Sequence, residues 1–347
     1  MIRTRFAALV TVLLAAPVVA APPRDMPFVS LTSKSAKQFN AALNAARMGD
    51  AVRAIALCRA ALKESPRAAP IWATLAGLLS EQGYAADAVA ASRKAVALEP
   101  KDPAFLANLS DFLLRAGESD AAEKTARRAL AINPKSDTAL SALVSCYLTT
   151  RRDADAIPLL MRLQTVRGGQ DRAVAQNLIA AQLRVGDRNG ALATAQKFAT
   201  FTPADPEAML AVVDLATQAG NVAVAEKYIA RLAKIAPKSP LPAYYRGRLA
   251  LTETGKPPVA RLATAESALR KAVSLAPKEA MFRVELGVVL ITQAGNLTGA
   301  AQGAKLSAAR TQLTAALMQE NHNREARRAL AVVAEGEKNW VDAAAQY

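Results

Sequence analysis

The chain is 347 residues long, 52% hydrophobic and only 5% aromatic, with a formal net charge of +15. Apolar residues are too abundant, and Pro and Gly too sparse, for a disordered chain, and the wealth of Ala, Leu and Val points to closely packed helices. The excess of Lys and Arg favours anionic partners. It is spread through both halves without a long basic run, so solubility alone accounts for it.

The chain opens MIRTRFAALVTVLLAAPVVAAPP, where Arg3 and Arg5 precede an apolar stretch from Phe6 to Ala21. Val18, Val19 and Ala20 put short residues where a signal peptidase reads them, so residues 1–20 are expected to be a signal peptide cut after Ala20. The stretch is short for a bilayer span, Pro17 interrupts it, and no long apolar segment follows. Without Arg3 and Arg5 the balance is 42 − 29, or +13. The expected location is the periplasm or the exterior, with no transmembrane segment after signal removal and no nucleic-acid partner. Residues 21–34 read as a lead-in or disordered tail.

From there the chain keeps time. Gly49, Gly83 and Gly117 are 34 residues apart, as are Gly186 and Gly220, with Arg151 standing in the gap between. Pro66, Pro100 and Pro134 follow the same period, as do Ala54, Ala88, Ala122 and Ala156. Each glycine is placed to end a first helix without a Cβ penalty, and each proline to stop a second. The regular units are 35–68, 69–102, 103–136, 137–171, 172–205 and 206–239. The fourth has Arg151 for its glycine and Gly168-Gly169 for its proline, which predicts a softer joint. Units 240–279 and 280–323 are longer. In the former, Pro257-Pro258 predict an extended loop; in the latter, the glycines of QAGNLTGAAQGAKL predict a mobile turn or a distorted helix start. A partial unit, 324–347, lacks a full capping helix, so either its last helix is short or a second copy covers that end.

The stretch APIWATLAGLLSEQGYAADAVAASRKAVALEP, with Trp72, Leu75, Ala76, Leu79, Ala88, Ser92, Ala95 and Pro100, resembles the tetratricopeptide repeat. The resemblance implies an all-α, right-handed solenoid of antiparallel helix pairs and a non-catalytic scaffold that binds protein partners in a concave groove lined by the first helices. Exported proteins of this kind support envelope assembly or polysaccharide export, so an anionic glycan is the alternative ligand.

Carrying the groove positions onto this chain gives Asn40 with Arg47, Asn108 with Arg115, and Asn177 with Arg184. Alternate units offer Thr74 with Glu81 and Ala142 with Thr149, and the seventh adds Tyr244, Tyr245 and Arg248. Asn can donate to and accept from a peptide backbone, Arg can fork onto a carboxylate, and Tyr and Arg are enriched at binding hot spots. The carboxylate clamp of chaperone-binding members is not reproduced, because Phe39 and Leu43 occupy its places in the first unit. The one histidine, His322, lies in a turn, and no metal cluster, phosphate loop or nucleophile elbow is present. Neither catalysis nor a cofactor is expected. Cys58 and Cys146 sit in separate helical patterns and read as buried small hydrophobes.

Overall fold

The computed structural model describes residues 32–346. Among them the chain folds entirely as antiparallel helix pairs, without a strand. It divides into two compact units between Thr194 and Ala195.

The first unit contains α1 (Ser33–Arg47), α2 (Ala51–Glu64), α3 (Ala69–Glu81), α4 (Ala85–Leu98) and α5 (Pro103–Arg115). It continues with α6 (Ser119–Ile132), α7 (Asp137–Thr149), α8 (Asp153–Val166), α9 (Arg172–Arg184) and the start of α10 (Arg188–Phe201). Short polar side chains start many of these helices. Asp50 accepts from the Arg53 amide at 3.0 Å, Asp102 from that of Ala104 at 2.7 Å, and Asp171 from that of Val174 at 3.0 Å, each satisfying an orphan donor of the first turn. After the first helices the backbone turns left-handed, with φ of 79° to 82° at Gly49, Gly83 and Gly117. Arg151 takes the same turn at φ 59°, which strains a residue bearing a Cβ by about 1–2 kcal/mol.

The two helices of a pair meet at small residues. Ala42, Ala54, Ala76 and Ala88 are wholly buried, and Ser110 fits the same place in the third pair by donating to the Ala122 carbonyl at 2.8 Å. Neighbouring pairs are tied at the proline. The Pro66 carbonyl accepts from Trp72 Nε1 at 2.9 Å, that of Pro100 from Arg128 at 2.8 Å, and that of Pro134 from Arg162 at 2.6 Å. First helices also pack on first helices, α3 on α5 and α5 on α7, so these three form one continuous side of the unit. Cys58 and Cys146 are free thiols in this interior, and burial pushes the Cys58 thiol up to about 12.

The second unit contains the rest of α10, then α11 (Pro206–Gln218), α12 (Val222–Ile235), α13 (Leu241–Thr252) and α14 (Pro258–Leu275). It ends with α15 (Ala280–Ala294), α16 (Gly299–Gln319), α17 (Arg324–Gly336) and α18 (Trp340–Gln346). The extra residues of the longer repeats become helix. α14 has 18 residues and α16 has 21, against 14 in α12. A loop does part the helices at 253–257 and Pro257 ends it with extended backbone (φ −56°, ψ 144°), but Pro258 is the first residue of α14, where its missing N–H costs nothing. Residues 295–298 leave the helix and Gly299 opens α16 at φ 60°, a distorted start, while Gly303 lies inside the helix. Glu266 of α14 binds Lys305 of α16 at 2.8 Å, which joins the two lengthened helices. Helix approach is closer here than alanine allows. A Cβ on Gly247 would stand 2.9 Å from Leu269 Cγ, and one on Gly287 would stand 2.7 Å from Leu313 Cγ.

Candidate partner-binding wall

In the first unit the wall of first helices carries the polar residues expected there. Asn108, Asp111 and Arg115 follow helical spacing along α5 and share one face. Asn40 is exposed, and Asn108 and Asn177 are half-buried. None of the three amides hydrogen-bonds to another of the described residues. Thr74, between two of them in the series, instead donates to the Pro70 carbonyl of its own helix at 3.0 Å.

The arginines are less available than their spacing suggests. Arg115 binds Asp111 at 2.8 Å, one turn back. Arg184 grips Asp153 through two nitrogens, with Nε at 2.8 Å from the carboxylate. The Asp153 side chain is only 8% exposed, so this fork joins α9 to the first turn of α8 and is part of the fold. Arg47 alone is lightly held, by an Asn44 contact at 3.5 Å. Phe39, at a clamp position, packs onto the hydrophobic core.

The second unit uses the same helix face differently. Tyr244 and Tyr245, expected on an open wall, are core residues, 1% and 8% exposed. Tyr244 meets Tyr245 edge-on at 5.2 Å and Phe282 of α15 at 5.0 Å. Arg248 lies 5.7 Å and 6.0 Å from the two tyrosine rings and 3.6 Å from Asp214 of α11. Burial lifts the Asp214 and Glu285 carboxyls above the usual carboxylate range, and Arg248 pulls both back. Burial also pushes the Tyr245 hydroxyl up to about 12. α13 is thus enclosed between its neighbours, and Arg248 is the centre of an internal charged cluster. Glu285 belongs to this cluster and was absent from the sequence-derived set. Opposite charges at matching places 34 residues apart, Asp214 and Arg248, are the signal that points to it.

His322 is exposed, no group of His, Cys, Asp and Glu that could hold a metal occurs among the described residues, and no described helix is long and apolar enough to cross a membrane. Repeated helix pairs with a polar wall of first helices define a repeat scaffold, the architecture of protein–protein interaction modules. Residues 86–234 match the model of a tetratricopeptide-repeat family. Over those residues the helix pairs are of the tetratricopeptide-repeat type. No curated protein matches the sequence. Among solved structures it is similar to PilW, a type IV pilus biogenesis factor, at 21% identity over 59% of this chain and 94% of that one, with a TM-score of 0.47. A tetratricopeptide repeat protein from Parabacteroides merdae matches at 16% identity over 86% of this chain and 98% of that one, with a TM-score of 0.34. A Naa15/Naa10 complex bound to HypK-THB matches at 16% identity over 90% and 55%, with a TM-score of 0.47.

Proposed function

We propose that the protein is a non-catalytic adaptor of the bacterial cell envelope that holds a protein partner against the first-helix wall of residues 32–194. The observation that carries this reading is the set of amides on Asn40, Asn108 and Asn177, which no other described side chain or backbone group engages. Each can donate to and accept from a peptide backbone at once. An anionic polysaccharide has less support, because Arg115 and Arg184 already hold Asp111 and Asp153. The basic, apolar and short-residue order of the first 20 residues supports export. Those residues lie outside the described part of the chain, and N-terminal sequencing of the mature protein tests the cut after Ala20. Trp340 and Val341 on α18 stand 66% and 84% exposed, which supports pairing with a second copy; a light-scattering mass of one chain removes that part of the reading.

The test of the main reading is crosslinking in the intact envelope followed by identification of the captured protein. Asn108→Ala with Asn177→Ala should abolish capture and leave helicity and melting unchanged. Capture that collapses in about 1 M salt, where screening reaches ~3 Å, favours the polysaccharide instead. Unchanged capture by the double variant rejects the wall.

A further inference from the structure

The opposite side of the first unit, built from second helices, contains gaps floored by the first helix between them. Two such gaps are grooves of about 510 Å³ each. They are the same groove two repeats apart: Arg59, Leu75, Asp87 and Lys94 of one correspond to Arg127, Leu143, Asp155 and Arg162 of the other, all 68 residues on.

Equivalent places hold their cations in different states. In the groove between α6 and α8, Arg127 donates to Glu123 at 2.9 Å and to the Tyr147 hydroxyl at 2.7 Å, while Arg162 serves the Pro134 carbonyl at 2.6 Å. In the groove between α2 and α4, Arg59, Lys63 and Lys94 make no hydrogen bond or ion pair with other described residues. Trp72 is the reason for part of this difference. Its indole N–H already serves the Pro66 carbonyl, which relieves Lys94 of the task that Arg128 and Arg162 perform in later repeats. The Trp72 ring then lines the groove with Leu75 and Leu79, and Asp87 is the one carboxylate on a rim of three cations.

We propose that this α2–α4 groove is a second docking surface and that its occupant is an acidic amphipathic segment of a partner protein. Apolar side chains of that segment lie on Trp72 and the leucine floor, and its carboxylates meet Arg59 and Lys63 on one wall and Lys94 on the other. Cations on both walls suit a ridge of apolar residues flanked by acids on each side. The apolar floor offers a sugar chain no hydrogen bonds, so a polysaccharide is disfavoured.

The experiment uses the full chain with Trp340→Phe, leaving Trp72 as the reporter, and a synthetic helical peptide with a leucine ridge flanked by glutamates. Saturable change in Trp72 emission is expected. Arg59→Glu, Lys63→Glu and Lys94→Glu together should weaken binding by at least about tenfold through charge repulsion, while Lys238→Glu, exposed in the second unit, should leave it unchanged. A glutamine-flanked peptide on the unaltered groove should lose a comparable factor, which holds the test open if the triple variant folds poorly. Equal binding of the two peptides, undiminished binding by a folded triple variant, or response to a sulfated polysaccharide but not to the peptide overturns the proposal.

Discussion

The two units write the same helix face in different chemistry. In the first, the first-helix wall presents Asn40, Asn108 and Asn177 with their amides unengaged; in the second, Tyr244, Tyr245 and Arg248 are folded inward against Phe282 and Asp214. A repeat position therefore fixes where a side chain starts, whereas the neighbouring repeat decides whether it meets solvent or core. Small residues set that neighbour's distance: alanine at Ala42 and Ala76 in the first unit, glycine at Gly247 and Gly287 in the second.

Several substitutions break or sharpen this contrast. The largest effect is expected at Arg184, which belongs to the fold although it stands in the groove series. Arg184→Ala leaves Asp153 buried without its cation and should lower unfolding free energy by about 3 kcal/mol, read by urea denaturation. Gly287→Ala, which drives a methyl into Leu313, should cost about 2 kcal/mol by overpacking, with no comparable loss at Gly77, where a Cβ meets nothing within 4 Å. Arg151→Gly relaxes the left-handed turn and should raise stability by about 1 kcal/mol, visible as a higher Tm.

Glu285→Gln tests the internal cluster by pH. Burial raises the folded carboxyl above its unfolded value, so folding holds that proton more tightly. The stabilisation is complete below the unfolded pKa of about 4 and is lost as pH rises through the folded value. The variant should therefore gain on the parent protein from acid toward neutral pH; a constant difference would place Glu285 in solvent. Arg47→Ala should be smallest, within about 0.5 kcal/mol, since only Asn44 holds it.

Much of the fold is legible in the sequence because glycine, proline and alanine each answer a local demand. Units read as starting at 69, 103, 137, 172 and 206 begin with helices at Ala69, Pro103, Asp137, Arg172 and Pro206. Local residues are a weaker guide where packing decides. Within QAGNLTGAAQGAKL they signal a turn or a distorted helix start; residues 295–298 do leave the helix and Gly299 starts α16 at φ 60°, but Gly303 stays helical because Leu306, Ala309 and Leu313 are buried along the same helix. The wall was legible in part. Asn108 follows from the repeat register alone, but the pairing of Arg184 with Asp153 spans 31 residues and depends on how two repeats stack. The α2–α4 groove was not legible, because three helices contribute to it and its distinguishing feature is which cations lack partners.

The most direct test of the contrast is a photoreactive phenylalanine analogue placed in turn at 108, 177 and 245 in intact cells of the native host. Adducts to a partner protein from 108 and 177, with only internal adducts from 245, are the predicted result. Partner adducts from 245, or none from 108 and 177, would contradict the assignment of the polar wall to binding and of the tyrosine wall to the core.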